Sequence, residues 1–97
     1  MNKMVLITYN EALDTEVMEL LEKSESKNYT KVIGAFGRGT TSGIHLGSDI
    51  WPGRNNILYI YCEEKEAKEI LSCIKGLRKT LGKEGIKAFI LPVEEAA

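Results

Sequence analysis

Three short segments of this chain are apolar at nearly every successive position, and that pattern restricts the folds open to it. Lys3-Met-Val-Leu-Ile-Thr-Tyr9, Asn56-Ile-Leu-Tyr-Ile-Tyr-Cys62 and Lys87-Ala-Phe-Ile-Leu-Pro-Val93 are rich in β-branched and aromatic residues without helical spacing. Each reads as a strand. Alternation sets Met4, Leu6 and Thr8 against Val5, Ile7 and Tyr9 in the first. In the second, Leu58, Ile60 and Cys62 oppose Ile57, Tyr59 and Tyr61; in the third, Phe89 and Leu91 oppose Ala88 and Ile90. A sheet with one wet face alternates apolar with polar residues, and these segments do not. Both faces of the sheet need a cover.

The remaining elements supply one cover. Leu13, Val17, Leu20, Leu21 and Ser24 recur at helical spacing, with Glu16, Glu19, Glu22 and Lys23 on the other side; Asp14 is the expected N-cap. A strand follows at about Tyr29 to Phe36. Ala67, Ile70, Leu71, Ile74, Leu77 and Leu81 then form the stripe of a second helix, stopped by Gly82, with Glu63, Glu64, Lys65, Glu66, Lys68, Glu69 and Lys79 facing water. The order β-α-β-β-α-β is the split βαβ, ferredoxin-like arrangement: an α+β fold with a four-stranded antiparallel sheet and both helices on one face. Residues 1–97 have room for a single domain. Domains of this length hide only roughly 60 to 65% of their unfolded surface. Self-association is the least costly cover for the second face, so an oligomer is expected.

Charge and composition exclude several classes. Thirteen basic and fourteen acidic side chains leave a net charge of −1, which excludes a strongly basic phosphate-neutralising protein. Lys75, Arg78, Lys79 and Lys83 form a basic cluster without interleaved aromatics, so no nucleic-acid partner is expected. No apolar run reaches the ~20 residues of a membrane helix. Met1-Asn2-Lys3 leads into a strand rather than a signal peptide, and the expected location is the cytoplasm. Cys62 and Cys73 stand apart without a CxxC motif and read as small buried fillers. His45 and Asp49 supply two metal ligands where a site needs three or four, so no metal site is assigned. No nucleophile–base pair or carboxylate pair is visible, and an enzyme is not expected.

Six of the nine glycines fall between Gly34 and Gly53. A connection of this length, about 37–55, is longer than a hairpin needs and has two readings: a flexible excursion, or a functional loop. It carries neither a dinucleotide fingerprint nor a Walker loop. The functional reading is an anion cradle: backbone N–H groups around Gly37 and Gly39, the hydroxyls of Thr40, Thr41 and Ser42, and the fixed charge of Arg38. Trp51 and Pro52 anchor its far end.

Several of these pieces resemble the nitrogen regulatory PII family over nearly the whole chain. Leu13-Asp14-Thr-Glu-Val17 looks like its opening helix, and Asn28-Tyr29-Thr30 like the Gly-Met-Thr before its second strand. Phe36-Gly37-Arg38 matches the Gly-Phe-Gly-Arg turn, Gly43 and His45 fall near the Gly-His, and Lys87 to Val93 resembles the Lys-Ile-Phe-Val-Phe-Pro-Val ending. The resemblance implies a homotrimer with sheets facing inward and ligand clefts between subunits, where ATP, ADP or AMP acts as an effector in signalling members. It implies ligand-binding roles for Thr30, Gly37, Arg38 and Lys87, with Gly39 beside them, and a mobile loop whose Thr41, Ser42, His45 and Trp51 would meet a protein target. The sequence departs from the family's Gly-Asp-Gly-Lys at Glu84-Gly85-Ile86-Lys87, where an anionic and a bulky side chain replace glycines. The loop lacks tyrosine, which excludes uridylylation there. The alternatives are a metal-responsive trimer similar to the copper-tolerance CutA proteins, which share this fold, and a structural oligomer without a ligand.

Overall fold

The computed structural model describes residues 1–25, 27–37, 54–81 and 85–97. Strand β1 (Asn2–Asn10) lies inside a four-stranded antiparallel sheet, paired with β3 (Arg54–Glu63) on one side and β4 (Ile86–Pro92) on the other. Strand β2 (Thr30–Phe36) pairs with the outer side of β3, giving the order β2-β3-β1-β4. Helix α1 (Asp14–Glu22), entered through a 3-10 turn at Glu11–Leu13, and helix α2 (Glu64–Leu81) complete the α+β, ferredoxin-like fold. Every strand lies within two residues of its sequence expectation at each end. Arg54 and Asn55, expected in the Gly-rich connection, belong to β3.

The register explains the core. Val5 lies opposite Ile60 and Ile90, Ile7 opposite Leu58 and Ala88, and Tyr9 opposite Asn56 and Ile86. These rows face the helices, where Val17 and Leu21 of α1 and Ala67, Ile70 and Ile74 of α2 close over them. Such side chains contribute about 1.5–3 kcal/mol each when moved fully out of water.

Among the described residues, nothing covers the opposite rows. Tyr59, Tyr61, Phe89 and Leu91 stay 39 to 47% exposed, with Met4, Leu6 and Ile57 half-buried between them. The two-faced pattern therefore corresponds to a real second apolar surface. Pro92 closes the edge strand β4, where the lost donor costs no ladder bond.

Three local expectations differ. Asp14 is the first residue of α1 rather than its cap; Asn10 does the capping one turn earlier, its Oδ1 accepting from Ala12 N–H at 2.9 Å. Glu66, expected in water, is buried, and Cys73, expected inside, is exposed. Both border the stripe of α2 beside Ile70 and line the groove against Leu20 of α1 and Lys23 and Ser24 just after it. Side chains at that boundary follow the tilt of the neighbouring helix, which residue spacing does not contain. Cys62 is buried as expected; Gly82 lies outside the described residues.

Gly85 begins the return into β4 at a φ of +93°, and its carbonyl accepts from Asn10 N–H at 2.6 Å. Gly85→Ala is expected to destabilise the fold by roughly 1–2 kcal/mol. Gly76 sits in α2 with open space where a Cβ would project, so Gly76→Ala should stabilise by up to ~1 kcal/mol. Urea unfolding at fixed protein concentration checks both signs.

Candidate ligand site

Thr30 opens β2 on the uncovered face, in a row with Tyr59, Leu6 and Phe89. Lys87 lies near the start of β4 on the same face, in the next row with Thr8, Ile57 and Val32. Both side chains are exposed. Gly37 follows the end of β2, and a Cβ there would meet Asn55 Nδ2 at 2.7 Å, so the absent side chain leaves room for the Asn55 amide. The sheet order puts these residues on opposite edges. Three inter-strand steps, about 14 Å, separate the β2 and β4 backbones. Within one chain Thr30 and Gly37 do not converge with Lys87. Arg38, Gly39, Thr41, Ser42, His45 and Trp51 lie outside the described residues.

The segment before Lys87 carries a departure that the fold absorbs. Ile86 is buried in the core opposite Tyr9, on the helix side of β4. Strand alternation then turns Lys87 to the uncovered face. The bulky residue therefore projects away from the face that carries Thr30 and Lys87.

Beneath the sheet sits a polar network that sequence reasoning missed. Asp14 Oδ1 accepts from Tyr9 Oη at 2.6 Å and from Asn56 Nδ2 at 3.2 Å, and Lys31 Nζ lies 2.7 Å away. One carboxylate oxygen thus joins α1 to β1, β3 and β2. The available signal was position: Lys31 and Asn56 fall on the inward face of their strands, where a polar group needs a partner. Elsewhere, Glu64 takes Lys68, four residues on, at 3.3 Å and lies 4.0 Å from Lys3. Hydrogen bonding by Lys68, then its charge and that of Lys3, hold the Glu64 carboxyl below its ordinary value. Burial, with the Glu66 charge, pushes the Cys62 thiol up and away from nucleophilic character. Among the described residues no three His, Cys, Asp or Glu side chains gather as metal ligands, and no helix is long and apolar enough to cross a membrane.

An α+β sheet of this order, with one helical layer and an uncovered apolar face, defines a ferredoxin-like domain. The chain belongs to the nitrogen regulatory protein P-II family, whose model matches residues 1–97. No curated protein matches it by sequence. Among solved structures it is similar to a PII-like signaling protein of Thermus thermophilus, at 22% identity and a TM-score of 0.67, over 92% of this chain and 82% of that one. It is also similar to CPII of Thiomonas intermedia bound to ADP, AMP and acetate, at 15% identity and a TM-score of 0.73, over 99% and 89% of the two chains. The divalent cation tolerance protein Cut A1 of Thermus thermophilus is 18% identical, with a TM-score of 0.60 over 100% and 88%. At these identities the likeness is one of fold.

The network gives stability a pH dependence at both ends. Burial, and then the bond to Asp14, raise the Tyr9 phenol above its ordinary value of 10.0. The folded chain keeps this proton where the unfolded chain releases it, so the contribution is full below about pH 10 and is lost as pH rises further. Burial pushes the Asp14 carboxyl up, but hydrogen bonds from Lys31 and Tyr9, the Lys31 charge and Asn56 together outweigh it and hold the carboxyl below its ordinary value. Its contribution is present above the unfolded value, about 3.9, and is lost as pH falls through the lower folded value. The unfolding midpoint, followed against pH, should fall less steeply above pH 10 in Tyr9→Phe than in wild type. Asp14→Asn should flatten the acid limb. Parallel curves for wild type and Tyr9→Phe would contradict the assignment.

Proposed function

We propose that residues 1–97 form one PII-type signalling domain that works in the cytoplasm as a homotrimer, by binding rather than by catalysis. It takes a small anionic metabolite, foremost an adenine nucleotide such as ADP, AMP or ATP, in clefts between subunits. The observation that carries this reading is the division of the candidate residues. Thr30 and Gly37 sit at one sheet edge and Lys87 at the other, so a second copy is needed to complete a site. The uncovered apolar face supplies the surface on which copies would meet. CPII, which shares the fold, has been solved with ADP and AMP together with acetate or bicarbonate, ligands of the chemistry that Lys87 and Arg38 would attract.

In this reading Lys87 of one subunit and Arg38 of its neighbour supply fixed positive charge, while Gly37 and Gly39 admit phosphate oxygens to backbone N–H groups. Thr30 contributes a hydroxyl. The Gly-rich segment carries the response to a protein target through Thr41, Ser42, His45 and Trp51. The ligand acts by preferring one arrangement of that segment, since equal affinity for two states shifts nothing.

Thermal shift with ATP, ADP, AMP, cyclic AMP, bicarbonate and divalent metals tests the ligand. A compound at about 100 times its dissociation constant adds roughly 2.7 kcal/mol per site. A nucleotide shift is expected in wild type and is expected to be lost in Arg38→Ala and Lys87→Ala. A shift with metal alone would replace this reading with a metal-responsive trimer, and a flat panel with a structural oligomer. Tyr59→Asp, on the uncovered face, should reduce the sedimenting mass to that of one chain. An unchanged trimer would contradict the use of this face.

A further inference from the structure

Strand β2 is the least anchored of the four. None of its side chains is buried; Lys31 and Ala35 are half-covered and the rest exposed. It pairs on one side only, with β3, and the ladder is interrupted by a bulge between Val32 and Ala35. Among the described residues, Lys31 is the member of β2 whose side chain bonds to the rest of the fold, at 2.7 Å from Asp14 Oδ1. Asp14 is held in turn by Tyr9 of β1 and Asn56 of β3, so the oxygen facing Lys31 is fixed from the sheet interior. Lys31 directly follows Thr30, and β2 ends one residue before Gly37.

We propose that Asp14 is a positioning residue: through Lys31 it latches the edge strand β2, and so holds Thr30 and Gly37 at the spacing the inter-subunit site needs. The second half rests on the ligand-binding reading of Thr30 and Gly37 given above. Lys31 turns to the helix side and Thr30 to the uncovered face, so the latch acts through the backbone and leaves the ligand side free. A strand without buried side chains opens by breaking ladder bonds alone. A charge-assisted bond from its first turn of pleat to a fixed carboxylate adds a term that must also be broken. With side chains 24% and 38% exposed the pair is partly screened, and its effect is local.

Amide hydrogen exchange in the unliganded chain tests the latch, and calorimetric titration with ADP tests the positioning. Lys31→Met keeps the aliphatic stem and removes the charge; Asp14→Asn keeps the shape of the acceptor. In Lys31→Met the β2 amides bonded to β3 are expected to exchange about two- to fivefold faster, with β1 and β4 amides unchanged; in Asp14→Asn, which also weakens the bonds from Tyr9 and Asn56, the β2 amides are expected to rise more than those of β1 and β4. Lys31→Arg should keep wild-type protection, and the double variant should exchange its β2 amides no faster than Asp14→Asn alone. ADP affinity should fall by a similar factor in both single variants. Unchanged β2 exchange in Lys31→Met, or a uniform rise over β1, β2 and β4, overturns the latch. Faster β2 exchange with unaltered ADP affinity overturns the positioning role. Absence of ADP binding in wild type overturns the ligand reading and the positioning with it, while exchange still decides the latch.

Discussion

The sheet has two apolar faces and one layer of helices, and most of what is distinctive in the structure depends on that mismatch. A chain with one apolar face sets its strand register by burial, because a one-residue slip would turn the core outward. Here a slip would exchange Val5, Ile7, Leu58 and Ile60 for Met4, Leu6, Ile57 and Tyr59, which are apolar as well. Hydrophobicity alone discriminates weakly between the two arrangements. The polar network supplies the discrimination. Tyr9 and Asn56 are directly opposite each other in the observed register, and both reach Asp14 with Lys31. A slip would carry Tyr9 or Asn56 to the other face and strip the half-buried carboxylate of donors, a large penalty for a charged group. Asp14 therefore acts as a register mark for three strands.

The same mismatch explains which parts of the fold were legible in the sequence. Strand and helix positions followed from periodicity because burial imposes it, and the order of elements led to the sheet topology through the split βαβ arrangement. The uncovered face was legible for the same reason: an apolar residue at an outward position is visible in alternation. What was not legible depends on neighbours distant in sequence. Asp14 reads as an N-cap from its local context, yet its partners Lys31 and Asn56 arrive from separate strands. Glu66 and Cys73 exchange their expected environments because the boundary of a helix stripe is decided by the facing helix.

Of the candidate site, residue types were legible and their placement was not. Thr30, Gly37 and Lys87 could be matched to a pattern, but only the strand order shows that they occupy opposite edges. The effect of Ile86 likewise depended on a parity that a motif does not contain. As a replacement for glycine beside the lysine proposed to meet the ligand it reads as an obstruction. In the strand it belongs to the core row with Tyr9, and alternation presents Lys87 on the other face. Gly85 keeps the positive φ that the turn into β4 requires. The altered segment thus combines a glycine at positive φ with a lysine on the uncovered face while adding a core side chain.

A site divided between edges ties ligand binding to assembly. If one subunit brings Thr30 and Gly37 and another brings Lys87, each bound ligand bridges two chains, and its free energy is shared with their association. Linkage makes the effect reciprocal: a ligand that tightens the assembly is itself bound more tightly by the assembled form, by the same factor. The uncovered face sets the other side of this balance. Roughly 1.5–3 kcal/mol for each large side chain moved fully from water leaves several kcal/mol unrealised in a lone chain with Tyr59, Tyr61, Phe89 and Leu91 half-exposed. Assembly driven by that surface would proceed without ligand. The ligand's contribution would then fall on the edges, where, among the described residues, β2 is held by little more than its ladder and the Asp14–Lys31 contact. In the proposed trimer, such an apolar centre with more weakly held polar edges would let a small anion act at the edges without dismantling the oligomer.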